Sequence, residues 1–575
     1  MRRNKVWLIV SCLVALALVS AVQGKETVLN SLGKTVERPQ YGGTFTYAIT
    51  AGIYNFDPPA MPSFAYAPTA EFTNEELVTG DWLKGPAGSG ESGWLAEEFP
   101  RVELATGVLA ERWEVVNPDT IIWHLRRGVR FHNKPPVNGR EFTADDYIFS
   151  RKRCLFLETS WHYMTYTDEQ RKSWSAKALD KYTVEEHFGP NQIGEALRIG
   201  GDYNFIQPRE VIEQFGDQKD WKNACGTGPF MLTDYVPQNS ATLKRNPDHW
   251  RKHPLYPQDT MPYLDEIRIV IIADISTQIA SMRTGKIDFV RVTAPKNAQE
   301  LRKTNPELKY LRHVPTMSSN IFMRMDKPEL PFKDIRVRRA LAMAIDRQAI
   351  ADQFYDGDAE MLTFPITPYP EFRDVYIPLD QLPEKTRELW KYDPEKAKRL
   401  LAEAGYPKGF KTEIVCAASP DHVDRLEIVK AYWSAIGVDL SITPKEWGVY
   451  GSIFRNRTHN QMIMNVGVNS TPRSMNNYRP ENFCNTMMVN DPYLKEVYDK
   501  TQEYFFDWDK LAKLWKEAHL YILEQAWSIE PSTPYTYTFW QPWVKGYQGE
   551  YSTGCWNLHM YWNYIWIDQS AKKKS

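Results

Sequence analysis

An α/β fold spread over more than one domain is what the sequence predicts, and three observations carry that prediction. The chain has 575 residues, more than one hydrophobic core ordinarily organises, so two or three domains are expected. Strand-patterned and helix-patterned segments alternate through both halves, which points to α/β architecture. No internal repeat or coiled-coil register runs through the sequence.

The first 24 residues stand outside the fold. Arg2, Arg3 and Lys5 precede an almost wholly apolar run over 6–22, and the small residues Ala21 and Gly24 close it, the layout of a secretory signal peptide. Cleavage is expected after Gly24, with Ala21 as the alternative, so residues 1–24 leave and the mature chain is exported to the periplasm. The run IVSC at 9–12 loosely resembles a lipoprotein cleavage box, and a lipid anchor at Cys12 is the alternative. The full chain carries a net charge of −2, and losing three basic groups and no acid with the leader takes it to −5, which excludes the charge balance of a nucleic-acid binder. Five cysteines remain beyond the leader (Cys154, Cys225, Cys416, Cys484 and Cys555), so at most two disulfides are possible and their pairing is open.

Residues 41–50 alternate apolar and polar side chains after a Gly pair and read as the first strand, followed by a loop at 54–59. The Gly, Ser and Pro content of 80–93 predicts an exposed loop, 120–126 a second strand, and Thr143 with Asp145 and Asp146 the capped start of a helix. Val337, Leu341, Ala344, Ile345 and Gln348 follow a helical repeat. Asp393 caps a second helix that has Pro394 at its first position, an apolar face of Ala397, Leu400, Leu401 and Ala404, and Gly405 as its stop.

Three short segments invite a functional reading. His249 and His253 stand four apart, but no HExxH glutamate accompanies them and Pro247 and Pro254 break the segment, so a turn with solvated histidines is expected. Gly90 to Gly93 resembles the start of a nucleophile elbow, with Trp94 where the last glycine belongs, and reads as loop. The basic end at 572–574 reads as solvated. An exported hydrolase would need two convergent carboxylates or a triad, and no such constellation stands out.

A set of segments, taken in order, resembles a known family. They are LAERW at 109–113, WHLRRGVRF at 123–131, NGREFTADD at 138–146, GTGPF at 226–230, LKRNPDHW at 243–250, GKID at 285–288, FKDIRVRRAL at 332–341, AIDR at 344–347, DPEKA at 393–397 and PWVKGY at 542–547. Together they resemble the family 5 extracellular solute-binding proteins of ABC transporters, which include dipeptide, oligopeptide, nickel and some oligosaccharide receptors. The resemblance implies a two-lobed α/β receptor of the class II periplasmic-binding-protein type, non-catalytic, without a cofactor or metal, expected as a monomer that delivers solute to membrane permease subunits. It also implies domain boundaries: first-lobe core from 25 to 71, an extra subdomain over 72–188, first-lobe core again over 189–312, the second lobe over 313–535 and a return to the first lobe over 536–575.

One stretch departs from the peptide-binding members. No Asp or Glu occurs between Trp447 and Pro480, although the chain carries 72 acids. Within that window lies NVGVNSTPRSMNNYR, 465–479, where peptide receptors of the family carry Gly-Trp and then an Asp that pairs with the peptide ammonium. Here the corresponding residues are Gly467, Val468, Asn469, Ser470 and Thr471. An ammonium buried without a carboxylate is costly, and amides offset that only in part. The expected ligand is therefore an oligosaccharide or another neutral or anionic polar solute, with an oligopeptide or dipeptide as the alternative. The expected contacts are Asn465, Asn469, Arg473 and Asn476 as hydrogen-bonding groups, Trp447 and Tyr478 as stacking platforms, and Tyr54 facing them from the first lobe.

Overall fold

The computed structural model describes residues 26–60, 68–96, 101–189, 203–465, 469–553 and 560–573, together with Gln192, Gly194, Leu197 and Gly201. The expected leader, Cys12, Cys555, Gly467 and Val468 lie outside these residues, as does the side chain of Arg473. The first strand, β1 (Thr44–Ile49), follows Gly42 and Gly43, whose φ angles of 108° and 87° suit glycine alone. Next comes an antiparallel unit of β2 (Ala110–Asn117), β3 (Thr120–Leu125), β4 (Ser175–Asp180) and β5 (Thr183–His187) in the order β2-β3-β5-β4. Helix α1 (Ala144–Phe156) packs on it, started by the reciprocal bonds of Thr143 and Asp146 that the sequence predicts. Its anchor is Glu186, whose fully buried carboxylate accepts hydrogen bonds from Trp123 Nε1 (2.7 Å), Trp174 Nε1 (2.7 Å), Tyr147 OH (2.6 Å) and Arg151 Nε (3.2 Å). Four donors leave this charge well compensated despite its burial.

The chain then completes a seven-stranded sheet with β6 (Phe230–Val236), β7 (Ser240–Arg245), β8 (Glu266–Ile271), β9 (Phe289–Val292) and β10 (Lys309–His313). From β10 it crosses to a five-stranded sheet made of β11 (Asn320–Met323), β12 (Lys411–Ala417), β13 (Asp439–Lys445), β14 (Met462–Asn465) and β15 (Ser528–Ile529). It returns to the first sheet through β16 (Thr536–Trp540). The strand orders are β6-β7-β8-β1-β9-β16-β10 and β13-β12-β14-β11-β15. Each sheet has its own buried apolar cluster, one around Phe45, Trp540 and Trp562 and the other around Phe322, Leu341, Trp433 and Met464. The molecule is therefore two-lobed and α/β.

Several local expectations are corrected. The helical repeat from Val337 to Gln348 is two helices, α2 (Ile335–Met343) and α3 (Arg347–Phe354), because Asp346 accepts the Ala349 N–H and restarts the helix. Helix α4 (Pro394–Glu403) begins and ends where Asp393 and Gly405 predict. The 80–93 loop is not simply exposed: Trp82 and Ser92 are buried in it, and Trp94 just beyond is fully buried. His249 and His253 are buried rather than solvated, and desolvation pushes both rings down to about 3, so they are neutral. Lys572 is not a free end, since its Nζ lies 2.8 and 2.9 Å from the Asp288 carboxylate oxygens and donates to Thr44 O. Among the described cysteines no disulfide forms.

Candidate functional site

Strand direction decides where the two sheets face each other. His313, the last residue of β10, pairs with Thr536, the first of β16, so the crossing leaves the first sheet at that edge. Strand β9 runs antiparallel to β16 and parallel to β1, and β1 is parallel to β8, which brings the C-terminal ends of β1, β8 and β9 to the same edge. In the second sheet Asn320 opens β11 and pairs with Asn465, the last residue of β14. Strands β12 and β13 are parallel to β14 or to each other, so their C-terminal ends also face the crossing. Loops after parallel strands are where open α/β sheets bind ligands, and here two such edges oppose one another across two short connections.

The second-lobe edge is a closed hydrogen-bond knot. Ser470 N donates to Thr316 O at 2.8 Å, Met317 and Asn469 form a β-bridge, and the hydroxyls of Ser318 and Ser470 are 3.0 Å apart. Thr367 donates both its N–H (2.8 Å) and its hydroxyl (2.9 Å) to Ser470 O, and Asn320 Nδ2 donates to Ser318 Oγ (2.8 Å). Thr316, Ser318, Asn320, Thr367 and Ser470 are all buried. The later residues of the expected ligand loop, Asn469 and Ser470, are thus fastened to the first crossing.

The other predicted positions separate into two groups. Tyr54 and Trp447 are both 61% exposed; Trp447 begins helix α5 (Trp447–Asn456) and stacks on Tyr450 at 5.7 Å. Asn465 is buried and reaches Thr486 Oγ1 at 3.4 Å, while Asn476 accepts from Arg479 at 3.3 Å. Tyr478 is buried at 2% exposure against Trp527, so its ring is a core contact and no stacking platform. Burial also raises its phenol above the ordinary tyrosine range.

Among the described residues, contacts between the lobes lie both near the crossing and farther out. Near the crossing, the buried carboxylate of Glu371 in the second lobe accepts N–H groups from Gly93 (2.9 Å) and Ala96 (3.4 Å) of the first, and Thr316 Oγ1 donates to Leu95 O at 3.0 Å. Trp94, between them, takes a left-handed φ of 48° that turns successive N–H groups toward Glu371. Farther out, the Trp161 ring meets Phe483 edge-on at 6.0 Å, with Tyr203 stacked behind Trp161 and Phe454 beside Phe483.

Sequence reasoning missed the first-lobe edge. Arg291, one residue before the end of β9, is half-buried among Phe289, Tyr551 and Tyr561, and its charge assists burial in holding the His313 ring neutral, down at about 4. The available signal was an arginine inside the apolar strand FVRV, 289–292. Among the described residues no group of three His, Cys, Asp or Glu side chains is placed to hold a metal ion, and no helix is long and apolar enough to cross a membrane.

Comparison with known proteins gives the same picture. The sequence profile of the bacterial extracellular solute-binding proteins, family 5 Middle, matches residues 105–488. The heme-binding protein A of Haemophilus influenzae is 26% identical over 474 residues, 76% of this chain and 81% of that protein. A dipeptide-binding protein of Pseudomonas aeruginosa is 28% identical over 483 residues, 77% of this chain and 84% of that one. Among solved structures, the ABC transporter-associated periplasmic binding protein DppA of Helicobacter pylori in complex with the peptide STSA shares the fold, with a TM-score of 0.70 at 22% identity over 92% of this chain and 99% of that one.

Proposed function

The chain belongs to the family 5 bacterial extracellular solute-binding proteins, and from that premise we propose that it captures a short peptide between its lobes and delivers it to the permease of an ABC importer. The observation that carries this reading is the pair of opposed strand edges joined by two short crossings, which suits closure on a solute by hinge bending. The relatives are binding proteins. The dipeptide-binding relative and the peptide-bound neighbour support a peptide better than the oligosaccharide expected from the acid-free window. That window still constrains the mode. With no carboxylate from Trp447 to Pro480, a peptide's amino end finds no acid on this segment, and recognition rests on its main-chain groups and its carboxylate. Trp447, Asn469 and Asn476 contribute from the second lobe and Tyr54 from the first. The protein acts outside the cytoplasmic membrane and as a monomer.

Calorimetry with tri-alanine, maltotriose and haem on protein purified without refolding tests the reading. Tri-alanine is expected to bind and to raise the melting temperature by mass action. Retention of maltotriose or haem with no peptide binding would overturn it.

A further inference from the structure

Several arginines buried in this molecule reach main-chain carbonyls or carboxylates. Arg338 donates to three main-chain carbonyls at 2.7, 2.8 and 3.2 Å, and Arg347 to three more at 2.7, 2.9 and 3.0 Å. Arg151 and Arg153 reach carboxylates. Arg291 has none of these. Its Nη2 donates to Tyr561 OH at 3.1 Å, its guanidinium lies 4.0 Å over the Tyr551 ring and 5.4 Å from that of Phe289, and its Nε is buried without a partner. Among the described residues no carboxylate comes within ion-pair distance of it. The groups that face it are the phenols of Tyr547, Tyr551 and Tyr561, which are neutral at physiological pH.

A guanidinium held flat by aromatic rings, with neither a carbonyl nor a carboxylate to take its charge, leaves a buried N–H whose lack of an acceptor is costly. Its place is equally specific. Arg291 is the penultimate residue of a strand whose C-terminal end faces the crossing, close enough to His313 to affect that ring. The stacked rings fix the plane of the fork, and a fixed fork matches the two oxygens of a carboxylate.

We infer that Arg291, oriented by Tyr551 and Tyr561, is the first-lobe anchor for a carboxylate of the bound solute. This rests on the peptide reading above, in which the carboxylate is the peptide's C-terminus; a free dicarboxylic acid offers the same chemistry. The first lobe thus takes the anionic end of the ligand, and the acid-free second-lobe segment has no need to hold the cationic one.

The test is calorimetry of the full mature chain with tri-alanine, tri-alaninamide and succinate, comparing wild type with Arg291→Gln and Arg291→Lys. The wild type should prefer the free acid to the amide by roughly tenfold to a hundredfold, the range for a charge-assisted hydrogen bond. Arg291→Gln should abolish that preference, bringing affinity for the free acid down to that for the amide, and Arg291→Lys should keep part of it. Equal binding of acid and amide by the wild type would overturn the inference, and this comparison stands even if Arg291→Gln does not fold. A preference that survives in Arg291→Gln would overturn it too. Succinate binding that needs Arg291, with no peptide binding, would uphold the subsite and discard the peptide. Peptide binding indifferent to the terminal carboxylate would do the reverse.

Discussion

The two edges that face each other across the crossings handle their polar groups in opposite ways. On the second lobe, Ser318, Asn320, Thr367 and Ser470 bond chiefly to one another and to the crossing, and the segment richest in amides and hydroxyls is largely consumed in holding itself together. On the first lobe, an edge lined with tyrosines keeps a guanidinium N–H without a partner, and beside it Glu550, fully buried, has a carboxylate oxygen in the same condition. A polar composition therefore marks a brace as readily as a binding surface. What marks the first-lobe edge is a guanidinium that faces the crossing with neither a carbonyl nor a carboxylate as acceptor.

The largest expected effect probes the first-lobe side of this contrast. Burial pushes the Glu550 carboxyl up to about 7 from its usual 4.5, with the Gln548 N–H opposing the rise. A raised folded-state pKa means that the native state holds the proton more tightly, so this stability is complete below about pH 4.5 and is lost as pH rises through about 7. Glu550→Gln should match wild type at pH 4.5 and exceed it by up to about 3 kcal/mol at pH 8. Urea unfolding at both pH values checks it, and a difference that does not vary with pH would remove Glu550 from the set of unanswered groups.

On the second lobe the contrast predicts loss of stability. Ser470→Ala leaves the Ser318 hydroxyl with the Asn320 amide alone, and Thr367→Val removes a donor to Ser470 O, so each should cost about 1–2 kcal/mol. Because the two act in one network, the double variant should be less costly than the sum. Additive losses in a double-mutant cycle would mean that the knot is only a set of separate bonds. The smallest effect belongs to Trp447→Ala. With the ring 61% exposed, unfolding stability should change by no more than about 0.5 kcal/mol. A larger loss would show that Trp447 is part of the core.

How much was legible beforehand follows the same division. Local chemistry was readable: Thr143 and Asp146, Asp393 with Pro394, and Gly42 with Gly43 each set a boundary through bonds between near neighbours. The length and the ordered motifs gave two lobes. What could not be read was which side chains become partners across long separations. Lys572 looked like a solvated tail because Asp288 lies 284 residues away, and Tyr478 looked like a platform because Trp527 was invisible to it. The amide-rich window drew attention by composition, whereas Arg291 is conspicuous only once its neighbours are known to withhold an acceptor.

The placement of β16 also dictates an order of folding. It is an interior strand of the first sheet, wedged between β9 and β10, yet it lies beyond the whole second lobe in sequence. Four of the five second-lobe strands are complete by Asn465, and their sheet can form from one contiguous stretch of chain. The first sheet has to wait for residues 536–540 to close a loop of more than two hundred residues, and the latch from Lys572 to Thr44 spans 528. Closing such loops is entropically expensive and slow, so the lobe that holds the chain's beginning is the last to be finished. Until β16 arrives, β9 and β10 present open edges, and an emerging chain is most exposed to mispairing at that moment.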